Sequence, residues 1–174
     1  MTEGPLASLR EAIGAPEIAE VRTLFEEYAG TLGIDLEFQN FGEELAGLPG
    51  AYSRPGGLLL LAAIGARSVG CVAVRRLDDD RCEMKRLYVR DEGRGHGVGL
   101  ALATAAIAFA RTAGYRIILL DTLPSMAAAQ TMYRRLGFRE VPPYRYNPVP
   151  GTSFMELTLA DDPPTGGPRP AGGS

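Results

Sequence analysis

Lysine is almost absent from this chain: of its 18 basic residues only Lys85 is one, and all the others are arginine. That bias reads as genomic base composition rather than as function. Tryptophan is missing, histidine occurs once, at His96, and cysteine twice, at Cys71 and Cys82. Two cysteines cannot form the framework of a disulfide-stapled secreted domain. If Leu77–Asp80 turns a hairpin, Cys82 falls opposite about Arg75, several residues from Cys71. At ~3.3 Å per residue that offset exceeds the ~7 Å reach of a disulfide. Free thiols, and hence a cytoplasmic protein, are expected. No stretch approaches the ~20 apolar residues of a membrane span, and Met1–Gly14 lacks the basic-then-apolar order of a secretory signal. The formal net charge is −3 and no basic cluster is dense, which argues against a nucleic-acid partner.

What the chain does have is enough apolar material for one core. It has 174 residues, 45% hydrophobic and 22% charged, values that suit a single soluble domain. A first strand is expected at Leu9–Ala12, then a helix from Pro16 to about Ala29 with Ile18, Val21, Leu24, Phe25 and Tyr28 on one face. Gly33–Gln39 reads as irregular or briefly extended, and Asn40-x-x-Glu43 as a capping box opening a short helix that ends near Gly47. Leu58–Ile64, Val69–Arg76 and Arg81–Val89 have the spacing of an antiparallel meander. The consecutive aspartates Asp78, Asp79 and Asp80 sit at a hairpin tip with diverging side chains, a solvated turn and no metal site. A helix from Val98 to about Ala113, a strand Tyr115–Asp121 and a helix from Pro124 to Leu136, stopped by Gly137, follow. Phe138–Val141 and Phe154–Leu159 are the last strands. The order βααβββαβαββ predicts a single α/β (α+β) domain over residues 1–160, its mixed, mostly antiparallel sheet carrying helices on both faces. The Pro/Gly-rich tail, 161–174, is expected to be disordered.

The chemistry concentrates between the third strand of the meander and the long helix. Arg94-Gly95-His96-Gly97-Val98-Gly99 follows Leu87-Tyr88-Val89 and opens an alanine-rich helix. A strand–glycine turn–helix unit aims several backbone N–H groups and the positive end of a helix dipole at one point, where a pyrophosphate would sit. Gly97 and Gly99 would keep side chains away from its oxygens. No Lys-Ser or Lys-Thr follows, so this is not an ATP-type P-loop. A dinucleotide fingerprint lacks its third glycine, although Asp121 does end a later strand; the upstream meander also disagrees with that fold.

A second segment joins the first. Arg94-x-x-Gly97-x-Gly99 resembles the acyl-CoA pyrophosphate loop of the GNAT N-acetyltransferase superfamily, and Ala129-x-x-Met132-Tyr133-x-x-x-Gly137-Phe138 is similar to that superfamily's later motif. The resemblance runs from about Leu9 to Leu159 in element order, with motif matches within Leu87–Phe138. One departure is Met126, where the family often has an asparagine that helps bind the cofactor; Ser125 is a candidate replacement.

The resemblance implies acetyl-CoA as co-substrate, without a metal, and direct transfer of the acetyl group to an amine in a ternary complex. It implies cofactor contacts from Leu87, Tyr88, Val89, Arg94, Gly95, His96, Gly97, Val98, Gly99, Leu100, Ser125 and Ala129. A backbone N–H of the strand ending at Val89 would polarise the thioester oxygen. Tyr133 would protonate the departing thiolate, since a phenol of pKa ~10 carries its proton at neutral pH. Glu83 stands where the family often has a carboxylate base, and simple alternation places it on one face with Lys85, Leu87 and Val89. A salt bridge from Glu83 to Lys85 or an arginine is the structural alternative. His96 is expected to contact phosphate rather than to act in catalysis.

The resemblance also implies an acceptor pocket between the first helices and the last hairpin loop, which carries Arg145 and Asn147, with Phe38, Tyr144 and Tyr146 as substrate contacts. Asp35, Glu37, Glu43 and Glu44 would favour a cationic small-molecule amine. A protein amine, and a non-catalytic acyl-CoA-binding domain, are the rival readings. The helix from Val98 is apolar nearly all round, so a homodimer is a further candidate assembly.

Overall fold

The computed structural model describes residues 6–159; the expectation for the tail, 161–174, lies outside the described residues. Seven strands form one sheet: β1 (Ser8–Glu11), β2 (Leu58–Ile64), β3 (Arg67–Arg76), β4 (Arg81–Val89), β5 (Ile117–Thr122), β6 (Arg139–Val141) and β7 (Ser153–Thr158), in spatial order β1-β2-β3-β4-β5-β7-β6. Every neighbouring pair is antiparallel except β4 and β5. Four helices accompany the sheet: α1 (Ala15–Leu32), α2 (Phe41–Gly47), α3 (Val98–Thr112) and α4 (Ala127–Arg135).

Alternation along β2 and β3 sorts the core into two layers. Leu58, Leu60, Val72 and Val74 join Leu102, Ala106 and Ala110 of α3 and Tyr133 of α4 on one face. Leu59, Leu61, Cys71 and Ala73 join Val21, Leu24 and Phe25 of α1 on the other. Leu45 and Phe41 of α2 pack onto this second layer. The two cysteines end up in different layers, Cys71 opposite Tyr88 and Cys82 opposite Arg76, and both are free and buried. The meander tip behaves as a turn: the Asp78 side chain accepts the backbone N–H groups of Asp80 and Arg81 at 3.0 and 2.8 Å.

Small residues set how closely α3 approaches the sheet. A Cβ on Gly70 would lie 2.8 Å from the Tyr88 carbonyl oxygen and 3.2 Å from both Leu102 and Val98. With alanines at 103, 106 and 110 fully buried, the helix can lie tight against β3 and β4.

Several boundaries differ from expectation for local reasons. Leu36–Gln39 is a 3-10 turn rather than extended, because the Asp35 side chain accepts the Glu37 N–H at 2.9 Å. Asn40 adopts a left-handed conformation, φ 56°, and its side chain caps nothing, so the expected capping box is not formed. Helix α4 begins three residues late, after Met126 N–H closes a turn on the Leu123 carbonyl at 3.0 Å.

Two irregularities in β4 open the sheet. First, its parallel pairing with β5 lasts only from Arg81↔Ile117 to Glu83↔Leu119. Beyond Glu83 the edge of β4 toward β5 has no strand partner. Second, the register with β3 jumps between Cys71↔Tyr88 and Ala73↔Lys85, so Arg86 and Leu87 together oppose Val72. Arg86 takes up this β-bulge with φ 60°, a conformation that costs a non-glycine residue ~1–3 kcal/mol. The bulge overturns simple alternation. Glu83 and Lys85 pair with Arg75 and Ala73, whereas Leu87 and Val89 pack on the α3 layer.

Candidate active site

The gap between β4 and β5 continues into a cleft of about 740 Å³, within the usual range for small-molecule sites. Its floor is Met84–Val89 of β4 and Leu120 and Asp121 of β5; α1 and the following turn wall one end, and the glycine loop and α4 the other.

The glycine loop has the geometry that an anion needs. Gly95 and Gly97 have φ of 78° and 71°, and a Cβ at either would meet nothing within 4 Å, so both face open space. Gly97 is the N-cap of α3, no side chain caps that end, and the first helical hydrogen bond runs from Ala101 N–H to Gly97. The N–H groups of residues 98–100 therefore have no acceptor inside the helix and are available to phosphate. Arg94 is exposed on the loop and pairs with Asp91 at 3.1 Å. Gly99 differs from its neighbours: a Cβ there would make ordinary contacts with Val89 at 3.7 Å and Met132 at 3.9 Å. Its backbone is helical, so no left-handed conformation calls for glycine at this position.

Leu87, Tyr88, Val89, Arg94, Gly95, Gly97, Val98, Gly99, Leu100, Ser125 and Ala129 all line the cleft. His96 is exposed and is not among the lining residues. Tyr133 projects from α4 into the cleft, its ring 6% exposed and packed edge-on to Phe138 at 5.7 Å. Burial raises its phenol above the ordinary range, so it is a protonated donor at neutral pH. Met126 also lines the cleft and accepts the Thr122 hydroxyl at 3.8 Å.

The acceptor end departs from expectation. Glu83 is completely buried and does not line the cleft. Its oxygens are turned to Arg75 Nε at 2.9 Å, to Arg145 at 3.0 and 3.1 Å, and to the Tyr144 hydroxyl. Arg145 reaches on to Asp121 at 3.1 Å, and Asn147 donates to the same carboxylate at 3.2 Å. Tyr144 is thus a ligand of Glu83 rather than a wall of the cleft, and Tyr146 is 76% exposed outside it. Of the three expected substrate contacts only Phe38 lines the cleft. Of the four acidic residues expected to favour a cationic acceptor, Asp35, Glu37 and Glu44 are engaged locally. Glu37 accepts the Gly42 N–H at 3.2 Å, and Glu44 holds Arg86 through both oxygens at 2.9 and 3.0 Å. Burial would raise the Glu44 carboxyl, but the Arg86 hydrogen bonds and charge outweigh it and hold it below the usual range.

Sequence reasoning missed Tyr28, Lys85, Arg86 and Asp121 as cleft residues. Tyr28 packs edge-on to Tyr88 at 6.1 Å, and burial pushes its phenol up to about 12. Lys85 is 8% exposed, and burial first, then Arg86, lower its ammonium from 10.5 to about 7. Its position as the single lysine was the available signal.

The acetyltransferase (GNAT) family model matches residues 18–138. The chain belongs to this family. An uncharacterised N-acetyltransferase of Schizosaccharomyces pombe is 37% identical over 146 residues, covering 83% of this chain and 90% of that protein. An N-acetylaspartate synthetase of Danio rerio is 33% identical over 116 residues, 66% of this chain but only 41% of its own length. Among solved structures, an acetyltransferase from Streptococcus agalactiae superposes with a TM-score of 0.74 at 20% identity, covering 88% of this chain and 98% of that one, a likeness of fold. The chain is therefore an acetyl-CoA-dependent acyltransferase with a mixed GNAT sheet.

Proposed function

We propose that this protein transfers the acetyl group of acetyl-CoA directly to the primary amine of a small molecule in a ternary complex. The observation that carries this reading is the cleft itself. One end offers the open amides at the start of α3, the middle offers the unpaired edge of β4, and the other end is walled by α1 and the Leu36–Gln39 turn. A site closed by α1 and its following turn suits an amine small enough to enter beside Tyr28 and Phe38. The bulge at Arg86–Leu87 and the absence of a β5 partner beyond Glu83 supply backbone N–H groups that could meet the thioester oxygen as it gains charge. Tyr133 supplies a proton for the leaving sulfur, and Arg94 with the glycine loop holds the phosphates. Glu83 supports the site from beneath by fixing Arg75, Arg145 and Tyr144. Two free, buried thiols support a reducing compartment such as the cytoplasm. Among the described residues no helix is long and apolar enough to cross a membrane, and no cluster that could hold a metal is present.

Calorimetric titration with acetyl-CoA, with NAD as control, tests the donor side, and thiol release with a panel of aliphatic, aromatic and amino-acid amines tests the acceptor side. The expected result is saturable acetyl-CoA binding, silence with NAD, and turnover of at least one small amine that Tyr133→Phe slows. Binding without turnover of any small amine, together with acetylation of peptide amines, would overturn the small-molecule assignment.

A further inference from the structure

The residues around the acceptor end form a charge set that balances without the lysine. Three guanidiniums, Arg75, Arg86 and Arg145, meet three carboxylates, Glu83, Glu44 and Asp121, at 2.9–3.1 Å. Arginine does not lose its proton in proteins, so the three guanidiniums are fixed cations, each with a carboxyl partner. Lys85 is the fourth cation in the cluster. The Glu83 carboxylate stands 4.0 Å from Nζ, beyond hydrogen-bonding distance, and both of its oxygens are already engaged by other donors. Charged groups act on Lys85 from several elements: Arg86 and Glu83 on β4, Arg145 after β6, Arg75 on β3 and Glu44 on α2, while Tyr28 of α1 and Asp121 of β5 line the same cleft. Its side chain is 5% exposed, yet the residue lines the cleft, opposite the small Ala73 of β3.

The composition points the same way. In a chain whose other basic side chains of this kind are all arginine, the single lysine is buried and lines the cleft, next to a buried, cleft-lining Arg86. Arginine there would be a permanent charge; lysine can exist as a neutral amine with a free lone pair.

We infer that Lys85 is the proton acceptor that deprotonates the incoming ammonium group of the acetyl acceptor. The inference rests on the amine acetyltransferase reading above. The acceptor enters as an ammonium and gives one proton to the neutral Nζ of Lys85. Its freed lone pair forms the C–N bond to the thioester carbonyl carbon while the C–S bond breaks. The nitrogen sheds a second proton, and the thiolate takes one from Tyr133, which recovers it from that nitrogen directly or through water. Products are the neutral amide, the free thiol and a lysine ammonium, which returns its proton to solvent. Burial first, and then the Arg86, Arg145 and Arg75 guanidiniums against the opposing Glu83 carboxyl, favour the neutral form between turnovers and lower the ammonium to about 7.

A single lysine makes the test direct, because protein labelled with ¹³C-lysine shows one side-chain resonance set. With coenzyme A bound, the Lys85 Cε shift should titrate with a midpoint near 7; a midpoint at the ordinary ~10.4 overturns the inference. In thiol-release assays with the best amine of the panel, wild-type kcat/KM should rise with pH through the same midpoint. Lys85→Arg and Lys85→Met should each bind acetyl-CoA normally, lose about 100-fold or more in kcat/KM at pH 7, and gain activity steadily up to the amine's own pKa. Variants that keep near wild-type rates and the limb near 7 overturn the inference while leaving the functional reading intact. A wild type that binds acetyl-CoA and turns over no amine overturns both.

Discussion

The two ends of the cleft are built from different materials. The donor end is backbone: two left-handed glycines, the unoccupied amides of α3 and the bare edge of β4. The acceptor end is side chain: a buried net of carboxylates, guanidiniums and a phenol drawn from β3, β4, β5, α2 and the loop before β7. Backbone recognition tolerates a changing sequence provided the conformation survives. A charged net does not, because removing one member leaves its partners buried and unpaired. The acceptor end should therefore be the place where single substitutions cost the most stability, and the donor end the place where they cost binding with little change in fold.

The sharpest break of that contrast is Glu83→Ala. It removes the fully buried carboxylate shared by Arg75, Arg145 and Tyr144, and leaves only Arg145 a second carboxylate, Asp121. Loss of one partner of such a pair costs ~3–5 kcal/mol, and chemical denaturation should show a loss of that order. If the unfolding free energy moves by less than about a tenth of this, the net is solvated and the contrast fails. The next effect belongs to the donor end. Gly97→Val sets a β-branched residue at φ 71° and places its methyls where phosphate would lie. Acetyl-CoA affinity should fall about 100-fold, roughly 3 kcal/mol, with a stability change of only ~1–2 kcal/mol from the strained conformation. Gly99→Ala is the control, since its Cβ meets ordinary contacts. Calorimetry should find affinity within a few-fold of the parent and a helix no less stable.

These contrasts also explain what could be read from the sequence. The order of elements was legible because each helix and strand has its own apolar period, and Gly95 and Gly97 announced a turn because left-handed backbone is a local property. The bulge was not legible. Nothing in Cys82–Val89 distinguishes an alternating strand from one in which Arg86 flips, because the cause lies elsewhere, in the Glu44 carboxylate and the Phe41 ring that hold the guanidinium. Glu83 could be picked as a carboxylate at the right place on β4. Its partners Tyr144 and Arg145 lie 61 and 62 positions away, and no periodicity connects them. Tyr144 is an expected substrate contact because the resemblance places the last hairpin loop at the acceptor and an aromatic ring suits a cationic amine; its hydroxyl instead donates to Glu83. The apolar face of α3 needs no second copy of the chain to cover its buried residues, since Leu102, Ala106 and Ala110 pack on the sheet; the exposed Leu100 is the cleft-lining exception.

Lys85 sharpens the comparison through pH. Its ammonium titrates near 7 in the folded protein and near 10.5 when unfolded. Below 7 both states hold the proton, and folding bears the full penalty of burying the charge. Between about 7 and 10.5 the unfolded chain binds more protons, so stability rises with pH across that window. Lys85→Met removes the titrating group. The variant should melt higher than its parent at pH 6, and the gap should narrow steadily toward pH 10. A gap that stays constant would mean that the lysine keeps its proton throughout.

The smallest expected effect lies at the solvent edge of the donor end. Arg94 is two-thirds exposed and its partner Asp91 nearly fully so. An ion pair in that setting contributes ~0–1 kcal/mol to stability, so Arg94→Ala should leave the melting temperature unchanged. Its contribution to a pyrophosphate is a charge-assisted contact made at the surface, worth up to a tenfold change in acetyl-CoA affinity at low ionic strength. That change should shrink in ~0.5 M salt, where the Debye length falls to a few ångströms. Asp91→Asn supplies the opposite sign: releasing the guanidinium and removing a negative charge beside the phosphates should tighten binding modestly under the same low-salt conditions. If Arg94→Ala instead lowered affinity equally at both salt concentrations, the guanidinium would have to be shaping the loop that carries Gly95 and Gly97, and the donor end would not be a purely backbone device.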